Sequence, residues 1–432
     1  MPGRTSVVGA AETDGAGRRD RFIPLRKSDV LDSLISHGAL DDGQAGELRQ
    51  LAHMLGAILH HEYFDGLDRL REAYFDFDPE VPVGRHRSAG DLDAAYRNLT
   101  DEFVRVLGEA NFIEITHDEI ERAFAEHAFV RVKLKAQVSD YRDVRMFRRG
   151  RHQETIEVPS LYGLRRRSHE IEVYDDIVLM VATRPEQDSK RRKPRVGIWR
   201  SRNKIRGGAV LFKYFRHIAR FDLEALLPNV RVVMGIRDQL TLGVPALVGG
   251  VPILLKLAST LTVLFIVAGF YLGLSGTVHD NDAEQALAAL SGLFALGAFI
   301  LRQWGNFHRQ SLIHQKQVTD NIYFRNVNNN SGIFNYLIGE AEDQDWKEAV
   351  LAYGGLLLAA VPLSRGTLGA HVEELLQQMF GLWLSFNVNE ALIRLREFGL
   401  VSGDDDELSA LPPQQAITKL EQVWAASLRS QP

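Results

Sequence analysis

The sequence predicts an α+β membrane protein, mainly helical, with an antiparallel β domain, a two-helix transmembrane hairpin and a C-terminal winged-helix-like module. Three observations lead there. Residues 257–275 and 285–301 are uncharged apolar stretches, the apolar period changes from three and four to two near Val130, and the chain after Leu368 runs helix, short strand, helix, acidic turn.

Residues 1–21 are rich in Gly, Ala, Arg and Asp, have no apolar core, and are expected to form a disordered tail rather than a secretory signal. Their acids argue against a mitochondrial transit peptide. Residues 22–128 read as a helical N-terminal domain. Val30, Leu31, Leu34 and Ile35, then Leu48, Leu51, Leu55, Ile58 and Leu59, recur at three and four, and Asp41 or Asp42 suits the N-cap of the second helix. Residues 74–79 (YFDFDP) break the helix carrying Leu67 and Leu70. Asp91 opens another helix through Leu107, and Thr116 with Glu119 forms a capping box for a short helix ending near His127.

Residues 129–220 read as a basic antiparallel β domain. Val130, Val132 and Leu134 alternate with Arg131, Lys133 and Lys135, and residues 144–147, 154–158, 170–173, 177–181 and 208–212 read as further strands. Residues 190–195 (KRRKPR) read as a disordered or loop excursion. Residues 221–256 are a linker and membrane approach, opening on a short helix stopped by Pro228.

The hairpin occupies residues 257–302. At 1.5 Å per residue its two stretches measure about 28 and about 25 Å, against a hydrocarbon core of roughly 30 Å. Arg231, Arg237, Lys256, Arg302 and Arg309 flank it, whereas the loop 279–284 (HDNDAE) carries acids and no Lys or Arg. Both termini are therefore expected on the cytoplasmic side. Gly269 and Gly273, and Ala288 and Gly292, are spaced to let the helices, or copies in a homo-oligomer, pack closely.

Residues 303–365 read as helical: a helix to Phe324, a turn and cap cluster at 326–332 (NVNNNSG), and a helical pair at 333–342 and 345–360. Glu340, Asp343 and Lys347 have the three-and-four spacing of a solvated, ion-paired face. Residues 366–432 match the winged-helix order: helix 372–380, strand 382–386, a helix capped by Asn387 with Ala391, Leu392 and Leu395 inward, and a wing at 403–407 (GDDDE). The wing's charge repels phosphate, so a protein partner fits this module better than nucleic acid.

The net charge of -5 conceals a polarised chain. Residues 131–220 carry 24 Lys and Arg against 10 Asp and Glu, while residues 1–130 carry 14 against 25. The basic segment can dock on membrane lipids with anionic headgroups or pair internally with the acidic domains. Arg165, Arg166, Arg167, Lys190, Arg191, Arg192 and Lys193 are the candidate lipid-binding residues.

Zero cysteines exclude disulfides, thiolate catalysis and cysteine-ligated metal. His60, His61, Glu62 and Asp65 lack the second histidine of the HExxH zinc signature, and they read as partly exposed helical side chains. Neither a phosphate-binding loop nor a GxSxG elbow occurs. No catalytic residue, metal or cofactor is expected.

Residues 74–79 (YFDFDP), 211–228 (LFKYFRHIARFDLEALLP), 321–332 (NIYFRNVNNNSG) and 339–353 (GEAEDQDWKEAVLAY), in this order around the hairpin, carry a resemblance. The chain from residue 25 onward resembles the domain-of-unknown-function family typified by the eukaryotic mitochondrial transmembrane protein 143, which has bacterial and plant members. The resemblance implies a membrane protein of unestablished activity and assigns no site residue. The functional expectation is an integral protein of the bacterial inner membrane, or of a mitochondrial membrane if eukaryotic. Its large cytoplasmic domains would serve as a non-enzymatic scaffold or a lipid- and protein-binding module. The alternative is a homo-oligomeric channel built from the hairpin.

Overall fold

The computed structural model describes residues 20–81, 89–126, 132–135, 141–160, 165–184, 206–228, 231–234, 324–359 and 361–427, with isolated positions between 272 and 309 and at 429. One compact unit takes in the described residues of Met1–Ile120, Val138–Leu223 and Arg325–Pro432, and a second those of Glu121–Gln137 and Glu224–Phe324.

In the first unit, helices α1 (Lys27–His37), α2 (Asp42–Tyr74) and α3 (Ala89–Glu109) precede a two-residue strand, β1 (Ile113–Glu114); helix α4 (His117–Glu126) follows, begun in the first unit and continued in the second. Helix α2 starts where Asp41 accepts a hydrogen bond from the Gln44 backbone N–H at 2.8 Å and the Gln44 side chain answers the Asp41 N–H at 3.3 Å. Asp41→Ala is expected to lower stability by about 1 kcal/mol, because the cap is exposed and the Gln44 N–H loses its partner. Urea unfolding of the variant measures it. Thr116 and Glu119 exchange the same pair of bonds ahead of α4, at 2.9 and 3.3 Å.

The five strand segments read from the sequence merge into three long strands. Strand β2 (Val132–Lys135) belongs to the second unit; β3 (Tyr141–Ser160), β4 (Arg165–Thr183) and β5 (Val210–Ala219) build an antiparallel sheet in the first. A 3-10 helix follows at Arg220–Leu226, and β6 (Arg231–Met234) pairs with β2 from Lys135↔Arg231 to Val132↔Met234. Residues 326–329, expected as a turn, instead form an edge strand, β7 (Asn326–Asn329), against β5, completing the order β1-β3-β4-β5-β7. The free edge of β5 supplies the partners that an asparagine run would otherwise seek in a turn, and the turn is confined to Asn330, at φ 48°.

Helix α5 (Gly332–Leu358) is one continuous helix, not the expected pair. It crosses the centre of the first unit, with Phe334 set edge-on to Tyr74 at 5.1 Å and to Phe212 at 5.3 Å, and Phe103 4.3 Å from Phe212. These four rings join α2, α3, α5 and the sheet into one core. Helices α6 (Arg365–Phe380) and α7 (Val388–Glu397), strands β8 (Val401–Ser402) and β9 (Ser409–Ala410), and helix α8 (Pro413–Ser427) follow. Residues 382–386 form no strand, and Asn387 makes no side-chain capping bond; the Phe386 N–H goes instead to the Glu373 carboxylate at 3.0 Å. Leu363 exchanges backbone bonds with Leu408 at 2.8 and 3.0 Å, adding a bridge beside the β8–β9 pair.

The membrane reading requires correction. No helix among the described residues is long and apolar enough to cross a membrane. Helices α2 and α5 have the length, at 33 and 27 residues, but both carry charged side chains through their middles. An integral membrane protein is therefore not supported, and the inner-membrane and mitochondrial-membrane locations fall with it. The hairpin at 257–302, apart from isolated positions, and its packing residues Gly269, Gly273, Ala288 and Gly292 lie outside the described residues.

Candidate functional site

Helix α5 carries the polar chemistry of the first unit inward. Gln344, Asp345, Lys347 and Glu348 are all buried, which overturns the solvated face expected around Lys347. The Asp343–Lys347 pair predicted by the i,i+4 spacing does form, but Lys347 also donates to the Ile23 carbonyl at 3.1 Å and burial lowers its pKa. Gln344 bridges the Ile23 N–H and C=O, at 3.0 and 3.3 Å.

Where α3, α5 and α7 converge, a cleft of about 540 Å³ is lined by Arg105, Glu109, Asp345, Glu348, Glu390, Arg394 and Glu397 with Val104, Gly108 and Ile393. Arg394 donates from Nε to Asp345 Oδ2 at 2.8 Å and from Nη1 to Glu62 and Glu397, both at 3.2 Å; Tyr63 adds a bond to Asp345 at 3.1 Å. Burial raises the pKa of Asp345 against the lowering pull of Arg394. Glu348 accepts from Asn111 Nδ2 at 2.7 Å, and burial pushes its carboxyl up to about 8.

Glu109 ends α3, where the helix dipole is negative and an anion is disfavoured. Arg105 holds its Oε1 at 2.5 Å, burial raises its pKa, and its Oε2 is buried with no hydrogen-bond partner among the described residues. A cleft with five acidic side chains, of which Glu348 holds its proton at neutral pH, two guanidiniums and an unmet acceptor is suited to a cationic group. Ile393, 55% exposed, supplies apolar surface at its rim. Nearby, the 403–407 turn is held by Asp405, which takes Arg396 at 2.6 Å and Arg365 at 3.3 Å.

Several cations of the basic sheet are used internally. Arg142 meets Asp93 at 2.8 Å, Arg145 meets Glu114 at 2.5 Å, Arg151 and Arg220 meet Glu172 at 3.3 and 2.9 Å, and Arg149 meets Asp176 at 2.6 Å and Glu340 at 2.8 Å. The candidate lipid-binding residues Arg165, Arg166 and Arg167 fall at the start of β4, but their side chains lie outside the described residues, as do Lys190, Arg191, Arg192 and Lys193 altogether. His60 pairs with Glu342 at 2.9 Å, and His61 meets the edge of Trp424.

Sequence reasoning missed Glu109, Glu348 and Arg394. The available signal was the density of charged residues on a helix whose flanks, residues 333–338 and 349–358, are apolar; a helix hydrophobic on all sides is buried, and its charges with it.

No solved structure matches the chain. Residues 174–332, from the middle of β4 to the first residue of α5, match the family described as Protein of unknown function (DUF3754), and a domain of that family is found there.

Proposed function

We propose that the chain acts as a non-enzymatic protein-binding module whose acidic cleft between α3, α5 and α7 receives a basic, helical segment of a partner protein. The observation that carries this reading is Glu109 Oε2, a buried acceptor at the end of α3 with no donor among the described residues. A Lys or Arg side chain entering the cleft supplies that donor and offsets the surplus of carboxylates. Ile393 at the rim adds apolar surface to the same cleft. Duplex nucleic acid is disfavoured there by phosphate repulsion. Kinship with the family typified by transmembrane protein 143 rests on the four sequence stretches and adds no chemistry.

Fluorescence anisotropy with a labelled Lys-rich helical peptide, an acidic peptide of equal length and a duplex DNA tests the reading on the full chain. The basic peptide is expected to bind, to weaken about tenfold or more as salt shortens the Debye length from about 10 Å at 0.1 M to about 3 Å at 1 M, and to weaken in Glu390→Gln/Glu397→Gln. Equal binding of acidic and basic peptides, or preference for DNA, would sink it.

A further inference from the structure

A second constellation lies on the sheet, apart from the acidic cleft. His152 and Glu154 are two residues apart on β3 and so project from the same face. His217, on β5, takes φ 55°, a conformation that a non-glycine residue seldom adopts within a strand. Its backbone carbonyl is held in that geometry by Arg325 Nη1 at 2.5 Å. The turn in the backbone breaks the alternation of β5, leaving Arg216 and His217 both exposed, and brings His217 Nε2 within 3.1 Å of Glu154 Oε2. The two imidazole rings are 5.7 Å apart, and one ligand atom from each of His152, Glu154 and His217 lies within 4.8 Å of the others.

The strand between them is shaped for the same site. Pairing of β3 with β4 passes from Arg149↔Asp176 to Arg151↔Tyr174, and pairing of β4 with β5 from Asp176↔Arg216 to Tyr174↔Ile218, so the register sets Asp175 between Gly150 and His217. Gly150 has φ 65°, and a Cβ there would come within 2.1 Å of Asp175 Oδ2. Glycine thus leaves room for the Asp175 carboxylate, whose Oδ1 lies 2.8 Å from His152 Nδ1. A carboxylate accepting from Nδ1–H fixes the tautomer and directs the Nε2 lone pair outward, the arrangement that supports metal-bound histidines.

We propose that His152 Nε2, Glu154 and His217 Nε2 form a three-ligand site for a first-row divalent transition-metal ion of the zinc type, oriented by Asp175. Two imidazoles and one carboxylate favour such an ion over magnesium or calcium, which take oxygen ligands. The three side chains are 39%, 44% and 52% exposed, so an ion held there keeps a solvent-facing coordination position and is reached without opening the fold.

The test uses the full chain freed of metal by a chelator and then titrated with Zn²⁺ by calorimetry, with Co²⁺ as a spectroscopic probe. One ion per chain is expected, with Co²⁺ giving the ligand-field bands of mixed nitrogen and oxygen ligation. His152→Ala, His217→Ala and the shape-conserving Glu154→Gln should each weaken Zn²⁺ about tenfold or more, and Asp175→Asn by about 10- to 100-fold through the orientation of His152. His60→Ala, remote from the site, should bind as the parent does. Because the ligands are exposed, circular dichroism of the three ligand variants should match the parent. Absence of one-to-one uptake, or affinity unchanged in both Glu154→Gln and His217→Ala, overturns the proposal.

Discussion

Arg149→Met is expected to destabilise the protein by about 3–5 kcal/mol, the cost of leaving a buried charge without its partner. Arg149 is 1% exposed, and its guanidinium donates to Asp176 Oδ2 from Nε at 3.0 Å and from Nη2 at 2.6 Å. Its Nη1 meets Glu340 at 2.8 Å, and its face lies over Phe22 at 4.2 Å and Phe112 at 4.7 Å. Burial alone would lower its pKa, but Asp176 and Glu340 outweigh that and hold the group charged. In the variant, Asp176 loses its two closest contacts and keeps the more distant Arg216, at 3.3 Å, in a site where its side chain is 7% exposed. Adding Asp176→Asn should recover much of the loss, since the second change removes the stranded charge. Urea unfolding of the two variants gives the comparison. A loss below about 1 kcal/mol for Arg149→Met would place the pair with ordinary surface ion pairs and refute this account.

Stability should fall as pH rises from about 4.5 to about 8, and Glu348→Gln should remove most of that slope. The Glu348 carboxyl, 3% exposed, is pushed up to about 8 by burial, with the Asn111 hydrogen bond opposing the shift. The unfolded chain releases this proton near 4.5, so between the two values the native state binds more protons than the unfolded state and each step upward in pH favours unfolding. The contribution is fully present below 4.5 and lost above 8, and at about 1.4 kcal/mol per unit it is on the order of 5 kcal/mol. Asp345 and Glu109, also raised by burial, act in the same sense and leave a residual slope. A Gln at 348 retains an oxygen for Asn111 and carries no charge, so the variant should match the parent at pH 4 and exceed it at pH 9. Urea midpoints across that range decide the matter; an unchanged slope in Glu348→Gln would show that this carboxyl ionises freely.

Both predictions concern side chains whose partners the spacing of the sequence does not announce. The spacing of Asp343 and Lys347 identifies an ion pair correctly, yet says nothing of Ile23, whose backbone comes from more than three hundred residues away to receive Lys347. Arg149 reads as one of the many cations of a basic strand; its partners Asp176 and Glu340 lie on a neighbouring strand and on α5. Likewise, His152 and His217 are separated by β4 and by 65 positions in sequence, so no spacing motif links them.

By itself the sequence determined what depends on neighbours along the chain. The acidic cap of α2 at 41–42, the Thr116 capping box, the end of α2 at Tyr74 and the change to a two-residue period are all set within a few residues of where they act. Only the tertiary structure decided that the asparagine run at 326–329 closes a sheet edge and that α5 is continuous. It also decided that Asp345, Lys347 and Glu348 of α5 face inward and that Gly150, Asp175 and His217 share one irregular row of the sheet. The physical reason is that a backbone edge needing hydrogen bonds, or a charge needing a partner, is satisfied by whatever the fold brings beside it, and that identity is not encoded in local periodicity.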